Sequence, residues 1–401
     1  MAKKVQIIIK SCDRRVLELE QVKNWLIANG YKLSNNHYSV DKTADIIILT
    51  TCGVTQLHED FTFEMLEKIR AGKKPDAQII LGGCVPEINP ERVAREFGGP
   101  TFSPKSYEKL DQIFDMPRKL DTFERPNLYK MKGLYRSDVG NTLDTVKYVA
   151  SLNLRSIIRG LKLRVTNCKT FYIQIHEGCS MGCTYCAIQK AIGPLRNSKP
   201  IDTVIAEFRE GLKQGYKHFR LIGDCAGSYG LDIKTDLGKL LQRISEIDEP
   251  FTLELTDINP VFLKIIYEPL KTLCLQKRIS NLYIPIQSGN DRILGLMHRR
   301  YDISETKRML IELKKVAPKD FKIGTSVIVG FPSENEDELQ DTVDFCNSMN
   351  FDWIYCHGFS ARPGTPAAEL PDQLTENEVM KRVSVFKDRI NDKDSVILDF
   401  Q

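Results

Sequence analysis

Short apolar runs alternate with longer amphipathic stretches through the N-terminal quarter of the chain. Runs rich in β-branched and other apolar residues predict buried strands at Val5–Lys10, Ile46–Thr50 and Gln78–Leu81. Between these runs the apolar side chains recur near the helical period, which predicts amphipathic helices. Strands that alternate with helices favour a parallel sheet with right-handed crossovers. We therefore predict an N-terminal Rossmann-like parallel α/β domain over residues 1–116.

The same alternation resumes at residue 170 and continues through six strand–helix units. The predicted strands of these units are Thr170–Glu177, His218–Gly223, Phe251–Thr256, Leu282–Gln287, Gly324–Gly330 and Trp353–Phe359. Because parallel sheets bind ligands at the carboxyl ends of their strands, we expect the chemistry of this second domain, residues 170–366, at that edge. A charged helix at roughly Glu376–Lys393 predicts a C-terminal helical extension over residues 367–401, which leaves residues 117–169 as a connector.

Length and composition indicate a globular protein of more than one domain. The chain has 401 residues, of which 42% are hydrophobic and 27% charged. It has neither an apolar run long enough to span a membrane nor the features of a signal peptide at its start, so we expect a cytoplasmic protein with no membrane partner.

The charge is unevenly distributed along the chain. The overall net charge of +4 is too small to indicate nucleic-acid binding, but the connector has twelve Lys or Arg against four Asp or Glu, a net charge of +8. Such a basic run could contact RNA phosphates or an acidic peptide, although a solvated linker is its more common meaning.

Eleven cysteines in a chain without a secretion signal favour metal chemistry over disulfides. Cys179, Cys183 and Cys186 are spaced so that three thiolates can reach one metal centre. Three ligands are one short of the four that close a structural zinc or an ordinary iron–sulfur site, and a catalytic centre needs such an open position. The alternative is a zinc knuckle with His176 as its fourth ligand, although no second CxxC or HxxxH accompanies it.

A second set of three cysteines shares one position in the predicted fold. Cys12, Cys52 and Cys84 each follow a predicted strand directly. Because the carboxyl ends of parallel strands meet at one edge of a sheet, we expect these cysteines to converge there on a second, three-coordinate iron–sulfur site. The alternative is that they are ordinary buried core residues.

The CxxxCxxC spacing, with the aromatic Tyr185 before the last cysteine, resembles the cluster loop of radical S-adenosylmethionine (SAM) enzymes. In that superfamily three cysteines hold a [4Fe–4S] cluster, and the amine and carboxylate of SAM chelate the fourth iron. With a three-cysteine α/β domain ahead of it, the chain resembles the methylthiotransferases, which insert a methylthio group into tRNA bases or a ribosomal-protein aspartate. The resemblance implies a partial (βα)6 radical SAM barrel, SAM, and two [4Fe–4S] clusters, a radical cluster on Cys179, Cys183 and Cys186 and an auxiliary cluster on Cys12, Cys52 and Cys84.

Motifs at the later strand ends extend this resemblance. A glycine such as Gly223 lets the backbone approach the amino group of SAM closely, and the segment around Phe331 resembles the element that supports the adenine. The residues expected to bind SAM are Tyr185, Gly223, Asp224, Gln287, Ser288, Val329, Gly330, Phe331 and Arg362. The chain departs from the family at Asp224-Cys225, where a Gln and a polar residue are typical. We expect Cys225 to be a buried bystander, although a cysteine there could guide sulfur.

The implied reaction replaces an unactivated C–H bond by C–S–CH₃. No side chain can remove such a hydrogen as a proton, so a radical must do so. The resemblance implies that SAM cleaved at the radical cluster supplies a 5′-deoxyadenosyl radical. A second SAM methylates the sulfur that the auxiliary cluster carries. An external electron donor such as flavodoxin or ferredoxin and a sulfur source are then required.

The substrate class depends on the C-terminal region. No TRAM barrel, the module with which the family usually holds its substrate, follows the last predicted helix. We therefore expect a peptide or protein side chain as substrate, a post-translational modification, with a tRNA base as the alternative. Two further alternatives are a radical SAM enzyme whose auxiliary cluster only transfers electrons and a binding or scaffold protein with a structural cluster.

Overall fold

The computed structural model describes residues 2–36, 39–128 and 170–398, and these residues form two parallel β-sheets with helices between the strands. The strands are β1 Lys4–Ile9, β2 Lys32–Leu33, β3 Ile46–Thr51, β4 Gln78–Gly83, β5 Thr170–Gln174, β6 His218–Ile222, β7 Thr252–Leu255, β8 Ile279–Tyr283, β9 Lys322–Val329, β10 Trp353–Gly358 and β11 Val396–Leu398. The α-helices are α1 Val16–Ala28, α2 Gln56–Gly72, α3 Val85–Ile88, α4 Pro90–Glu96, α5 Lys109–Phe114, α6 Ile188–Ile192, α7 Ile201–Lys213, α8 Leu237–Ser245, α9 Leu263–Leu275, α10 Asp291–Leu296, α11 Ile303–Val316, α12 Glu336–Met349 and α13 Glu376–Arg389. Among the residues described, no helix is long and apolar enough to cross a membrane.

The first sheet has the strand order β2-β1-β3-β4, with every pair parallel. Strand β3 is buried along its whole length, as expected for a central strand with helices on both faces. Its alternate residues face opposite sides, so that Ile48 packs in a core with Trp25 of α1, whereas Ile47 packs in a second core with Phe63 of α2. This arrangement confirms the predicted Rossmann-like parallel α/β region.

The second sheet has the order β11-β10-β9-β8-β7-β6-β5, again with every pair parallel. Six of its strands correspond to the six predicted ones, with bounds that differ by a few residues at one or both ends, and β8 overlaps its predicted range least. Strand β8 ends at Tyr283, several residues before the predicted end at Gln287. Pro285 has no N–H to donate to the ladder, and Gln287 has a φ of +72° and returns to the sheet only as an isolated bridge to Val327.

Strand β11 was not predicted, because the expectation for residues 367–401 was a helical extension. Helix α13 ends at Arg389, and the chain then returns to pair in parallel with β10, with Val396 opposite Ile354. Three residues are too few for the alternation of apolar and polar side chains that identifies a strand in the sequence. The short strand covers the edge of β10, which would otherwise be open for pairing.

The predicted connector divides into a described and an undescribed part. Residues 129–169 lie outside the described residues. Its first residues do not form a solvated linker, since the indole N–H of Trp25 donates to the Arg118 carbonyl oxygen over 2.7 Å and Arg125 forms a salt bridge of 2.5 Å with Glu177. The described part of the connector therefore packs against α1 of the first sheet and against the loop after β5 of the second sheet.

A buried ion pair joins α2 of the first sheet to the loop after β10. The side chains of Arg362 and Glu59 are 1% and 0% exposed and form a salt bridge. Arg362 also donates through Nη1 to Oε1 of Gln56 over 2.8 Å, and the Gln56 backbone N–H donates to the hydroxyl of Ser360 over 3.1 Å. Both partners of this pair are removed from water, so each depends on the other for compensation.

Replacing Arg362 with Met should lower the free energy of unfolding by about 3–5 kcal/mol, because the Glu59 carboxylate would stay buried without its partner. The matched control is Arg243→Met. The Arg243 side chain is 47% exposed and pairs over 3.4 Å with Asp202, which is 87% exposed, and such surface pairs contribute about 0–1 kcal/mol. Urea unfolding midpoints at unchanged slope measure both effects. Equal shifts in the two variants would contradict the special role of the buried pair.

Candidate metal centre at the contact of the two sheets

The triad of the second sheet, Cys179, Cys183 and Cys186, is called the second triad below. The loop that carries it follows β5 and begins at a glycine that no other residue could replace. Gly178 has a φ of +72°, and a Cβ atom there would lie 1.9 Å from the carbonyl oxygen of Pro194. The close approach lets Glu177 pair with Arg196 in an antiparallel bridge and lets the Cys179 N–H donate to the Gly193 carbonyl over 3.2 Å. The start of the loop is thus fixed by backbone pairing.

The far end of the loop is held by two other segments. The backbone N–H and the hydroxyl of Thr184 donate to the carbonyl oxygens of Met297 and Leu296 over 3.2 and 2.8 Å. The Thr184 carbonyl in turn accepts from the Ala367 N–H over 2.9 Å. The triad therefore lies on a short segment that is anchored at both ends.

The three cysteines Cys179, Cys183 and Cys186 are each partly buried. Burial raises the pKa of Cys186, and the neighbouring Cys183 raises it further. The buried guanidinium of Arg299 donates to the Cys183 sulfur over 3.6 Å, and the hydroxyl of Tyr185 also hydrogen-bonds to Cys183. Cys183 is thus close to Cys186 and has a cation beside it, whereas the binding of one metal centre by all three thiols stays a prediction.

One thiol outside the triad takes part in this site. Cys225 is 5% exposed and forms a hydrogen bond with Cys179. This contact raises the pKa of Cys179 and lowers the pKa of Cys225 to about 7, with further hydrogen bonds to Cys225 from Ser228 and from the backbone N–H of Asn259.

The cysteines of the first sheet lie at the carboxyl ends of adjacent strands, as predicted. Cys12 follows β1, Cys52 follows β3 and Cys84 follows β4, and these three strands are neighbours in the sheet. The Cys84 N–H donates to the Thr51 carbonyl over 3.2 Å, which holds the ends of β3 and β4 together. Burial raises the pKa of Cys84, and the nearby thiols of Cys52 and Cys12 raise it further.

The two triads face one another across the contact of the two sheets. Cys84 packs in an apolar cluster with Ala187, the residue after Cys186, and with Ala191 of α6. Arg15, three residues after Cys12, forms salt bridges with Glu18 over 2.9 Å and with Asp224. The second oxygen of Asp224 accepts the backbone N–H of Gly178 over 2.8 Å, so one ion pair connects the loops of both triads.

Further charges extend this ion pair into a network. The Tyr107 hydroxyl donates to Glu18 over 3.0 Å, and burial raises the pKa of that carboxyl. Arg125 approaches Glu18 to 4.0 Å and Glu177 to 2.5 Å, and Arg196 pairs with Glu177 over 3.2 Å. Each buried carboxylate of the network is therefore matched by a guanidinium.

The donor set fits iron–sulfur clusters better than a single ion. Within the described ranges, no three His, Cys, Asp or Glu side chains are arranged to hold one metal ion. In a [4Fe–4S] cluster each thiolate binds its own iron, so three sulfurs need not meet at one point. His176, the candidate fourth zinc ligand, instead packs over Gly223, where a Cβ atom would lie 2.2 Å from the ring.

Several buried polar atoms near the second triad fit a polar cofactor such as SAM. Both ring nitrogens of His176, Oε1 of Gln287 and Nε of Arg299 have no hydrogen-bond partner among the described protein atoms. His176 is 1% exposed, and desolvation lowers its pKa to about 4, so its ring is neutral at pH 7. Such unsatisfied groups in a folded protein are typical of a binding site.

Two of the aromatic residues expected to bind SAM share one apolar cluster. Tyr185 and Phe331 pack with Ile328, and Phe331 makes an edge-to-face contact with Phe359 at a centroid distance of 5.2 Å. Gly330, with a φ of +75°, turns the chain between β9 and this cluster. The structure thus brings Tyr185 and the Phe331 segment together, as an adenine site would require.

The other residues expected to bind SAM have different surroundings. The Asp224 and Arg362 side chains lie in the ion pairs described above, and Val329 packs in the core of the second sheet. Ser288 is fully buried, and its hydroxyl accepts the Asn290 N–H over 3.2 Å at the start of α10. Direct contact of these four side chains with SAM remains a prediction.

Sequence analysis did not identify the arginines of the interface. Arg14 donates through Nε to Asp257 over 3.0 Å, Arg15 pairs with Asp224, and Arg125 joins the network from the connector. The only signal in the sequence is that Arg14 and Arg15 follow soon after Cys12. Their partners are more than 200 residues away, so the pairing could not be read from local pattern.

Comparison with known proteins agrees with this arrangement. Residues 173–346 match the model of the radical SAM superfamily, and residues 4–101 match that of an uncharacterized protein family, UPF0004. The chain is 28% identical to threonylcarbamoyladenosine tRNA methylthiotransferase MtaB of Thermotoga maritima, over 97% of this chain and 82% of that relative. It is 29% identical to tRNA-2-methylthio-N(6)-dimethylallyladenosine synthase of Methylacidiphilum infernorum, over 92% of this chain and 76% of that relative.

Among solved structures, the radical SAM methyltransferase TsrM from Kitasatospora setae, with cobalamin and a [4Fe–4S] cluster bound, is similar with a TM-score of 0.58. It is 13% identical, and the match covers 92% of this chain and 77% of that one, so the likeness supports the fold alone. The matches confirm the α/β fold class, with a radical SAM domain after the first sheet. The radical SAM match agrees with SAM as the expected cofactor. The chain therefore has a UPF0004 region followed by a radical SAM region, and the relatives described here are named for the methylthio modification of tRNA.

Proposed function

We propose that this protein inserts a methylthio group into an adenosine base of a tRNA. The relatives described above carry tRNA substrates in their names, and both names include an adenosine. They therefore favour the alternative expectation over the peptide or protein side chain, which has no support from them. The expectation of a peptide or protein substrate depended on the sequence after the last predicted helix, which by itself does not identify a substrate.

The observation that carries the proposal is the opposition of two cysteine triads across one buried interface. A radical SAM reaction that only removes hydrogen would need the triad of the second sheet alone. Cys84 packs against the helix that follows Cys186, and the Arg15–Asp224 pair connects both loops. A sulfur-bearing group on the first triad would thus be close to a radical formed beside the second.

When bound, the two clusters and SAM supply one-electron cleavage of SAM, sulfur and a methyl group. The residues of this chain would hold, orient and shield them. The two triads would supply six thiolates. Tyr185 and Phe331 would pack on the adenine, and the unpartnered Oε1 of Gln287 would accept a hydrogen bond from SAM. The buried network around Arg15 excludes water from the contact, which protects a reactive radical.

Replacing Cys179, Cys183 or Cys186 singly with Ala should abolish SAM cleavage while the protein still folds, because these residues lie on a loop outside the two cores. Deoxyadenosine formation by the reconstituted, reduced protein measures this. Cys346→Ala, a change in the core of the second sheet, is the control and should retain cleavage. A triad variant that makes deoxyadenosine at the normal rate would remove that cysteine from the ligand set.

Replacing Cys12, Cys52 and Cys84 together with Ala should roughly halve the bound iron, if each site holds four irons. SAM cleavage should persist, whereas methylthio product should disappear because the sulfur carrier is lost. An auxiliary cluster that only transfers electrons predicts no methylthio product even from the unchanged protein. Iron content that does not change in the triple variant would exclude the second cluster.

Incubation of the reconstituted protein with tRNA should yield a methylthiolated adenosine in the nucleoside digest, measured by mass spectrometry. We expect Arg155, Arg159, Lys162 and Arg164 of the connector to contact phosphates, so replacing all four with Ala should weaken tRNA binding. Each lost contact should reduce the salt dependence by about 0.9 log units of affinity per log unit of salt, as on duplex. A methylthio mark on protein side chains instead of tRNA would overturn the proposed substrate and leave the enzyme class unchanged.

The matched control for the connector variant removes four positive charges at the opposite edge of the second sheet. Lys217, Lys315, Lys319 and Lys322 are exposed and lie near the amino ends of strands. Their replacement with Ala should change tRNA affinity and its salt dependence much less. An equal loss in both variants would mean that tRNA responds to overall charge rather than to the connector.

A further inference from the structure

We propose that Cys225 is a fourth, displaceable thiolate ligand of the radical cluster, which occupies the open iron until SAM replaces it. The inference rests on the proposed assignment of Cys179, Cys183 and Cys186 as ligands of that cluster. It assigns a role to a thiol for which sequence analysis expected none.

The position of Cys225 sets it apart from the other buried cysteines of the second sheet. Cys274 and Cys346 lie in its apolar core, as structural cysteines do. Cys225 follows the carboxyl end of β6, where this sheet carries its chemistry, and its thiol lies close to the thiol of Cys179. A side chain in contact with one cluster ligand is within reach of the same cluster.

The segment that carries Cys225 is held directly against the cluster loop. Asp224, the residue before Cys225, accepts the Gly178 N–H over 2.8 Å, and Ser228 accepts a hydrogen bond of 2.8 Å from the hydroxyl of Ser180. Gly178 and Ser180 are the residues on either side of Cys179, so the two loops lie side by side where they carry Cys179 and Cys225. This pairing of the loops places Cys225 beside a ligand of the cluster.

A second observation indicates that a ligand belongs beside this thiol. The side-chain amide nitrogen of Asn259 has no hydrogen-bond partner among the described protein atoms, and the residue is 2% exposed. Nε of Arg299, which is 6% exposed, likewise has no partner. Buried donors of this kind normally have partners, so their presence on two residues next to Cys225 fits a site that binds a polar, electron-rich group.

The exchange is a substitution of ligands and involves no oxidation or reduction. The bond between the Cys225 sulfur and iron breaks, and bonds from the amine and carboxylate of SAM form. The released thiolate keeps its electron pair. The exchange would protect the open iron in the absence of SAM and would weaken apparent SAM binding. If the thiolate occupies the iron in nine molecules of ten, the apparent Kd rises about tenfold.

The test uses the full chain in which Cys12, Cys52 and Cys84 are replaced by Ala, so that only the radical cluster is observed. Three variants of this protein are made: Cys225→Ala, Cys225→Ser and, as the matched control, Cys274→Ala. Three quantities are measured after anaerobic reconstitution: the EPR spectrum of the reduced cluster with and without SAM, the yield of three-iron cluster after mild ferricyanide oxidation, and the SAM dissociation constant by equilibrium dialysis.

We expect Cys225→Ala and Cys225→Ser to differ from the parent in the EPR spectrum without SAM and to match it with saturating SAM. Both should yield more three-iron cluster on oxidation, because the fourth iron lacks a thiolate, and both should bind SAM about tenfold more tightly. Cys274→Ala should behave as the parent in all three measurements. The serine variant keeps the test valid if the alanine variant folds poorly.

Identical spectra, oxidation yields and SAM affinities in the parent and both Cys225 variants would overturn the inference. Loss of the whole cluster in both variants, with folding intact, would also overturn it, because a displaceable ligand is not required for assembly. A parent protein that assembles no cluster and cleaves no SAM would refute the proposed function itself, and the inference with it.

Discussion

The ion pair between Arg15 and Asp224 is the contact on which the arrangement of the site depends. The two side chains are 7% and 4% exposed, so neither charge is stabilised by bulk water. Arg15 is matched by Glu18 as well as Asp224, and Asp224 also accepts the Gly178 N–H. Removing one partner of such a pair leaves a buried charge without compensation, which is far more costly than the pair is favourable. The relative position of the two cysteine loops is therefore coupled to the electrostatics of one buried pair.

The fold explains why two distant sets of cysteines meet. Both sheets are parallel, so each gathers the ends of its strands, and the short loops after them, at one edge. The contact between the sheets places these two edges opposite each other, with the Cys84 cluster on one side of the Arg15 pair. The Glu59–Arg362 pair provides a second buried attachment between the two sheets. Two attachments around the site limit rotation of one sheet against the other, which a reaction between two bound groups requires.

The parts of this structure that follow from local pattern could be predicted from sequence. Buried strands such as Ile46–Thr51 begin with a run of large apolar residues, and the position of Cys12, Cys52 and Cys84 at one edge follows from parallel topology alone. Strand β11 could not be predicted, because three residues carry no period. Asp224 was assigned to SAM because it lies at a strand end, yet its partner is an arginine 209 residues earlier in the chain. A single sequence contains no local pattern that shows which charged residues of distant segments form ion pairs.

The distribution of unsatisfied polar groups separates the roles of the two sheets. Among the residues described, every buried side-chain nitrogen or oxygen without a partner lies in the second region, between Gln174 and Arg362. The first region has buried polar side chains as well, including Gln6, Glu18 and Glu59, but these are hydrogen-bonded or ion-paired within the protein. A site that binds a polar small molecule must keep some donors and acceptors available for it, and burying them costs stability in its absence. The second region bears that cost, and at Arg299, which contacts Cys183, it does so next to its triad, as binding of SAM there requires. The first sheet presents thiols on an otherwise satisfied framework, which is sufficient for a region that holds a cluster and no small polar ligand.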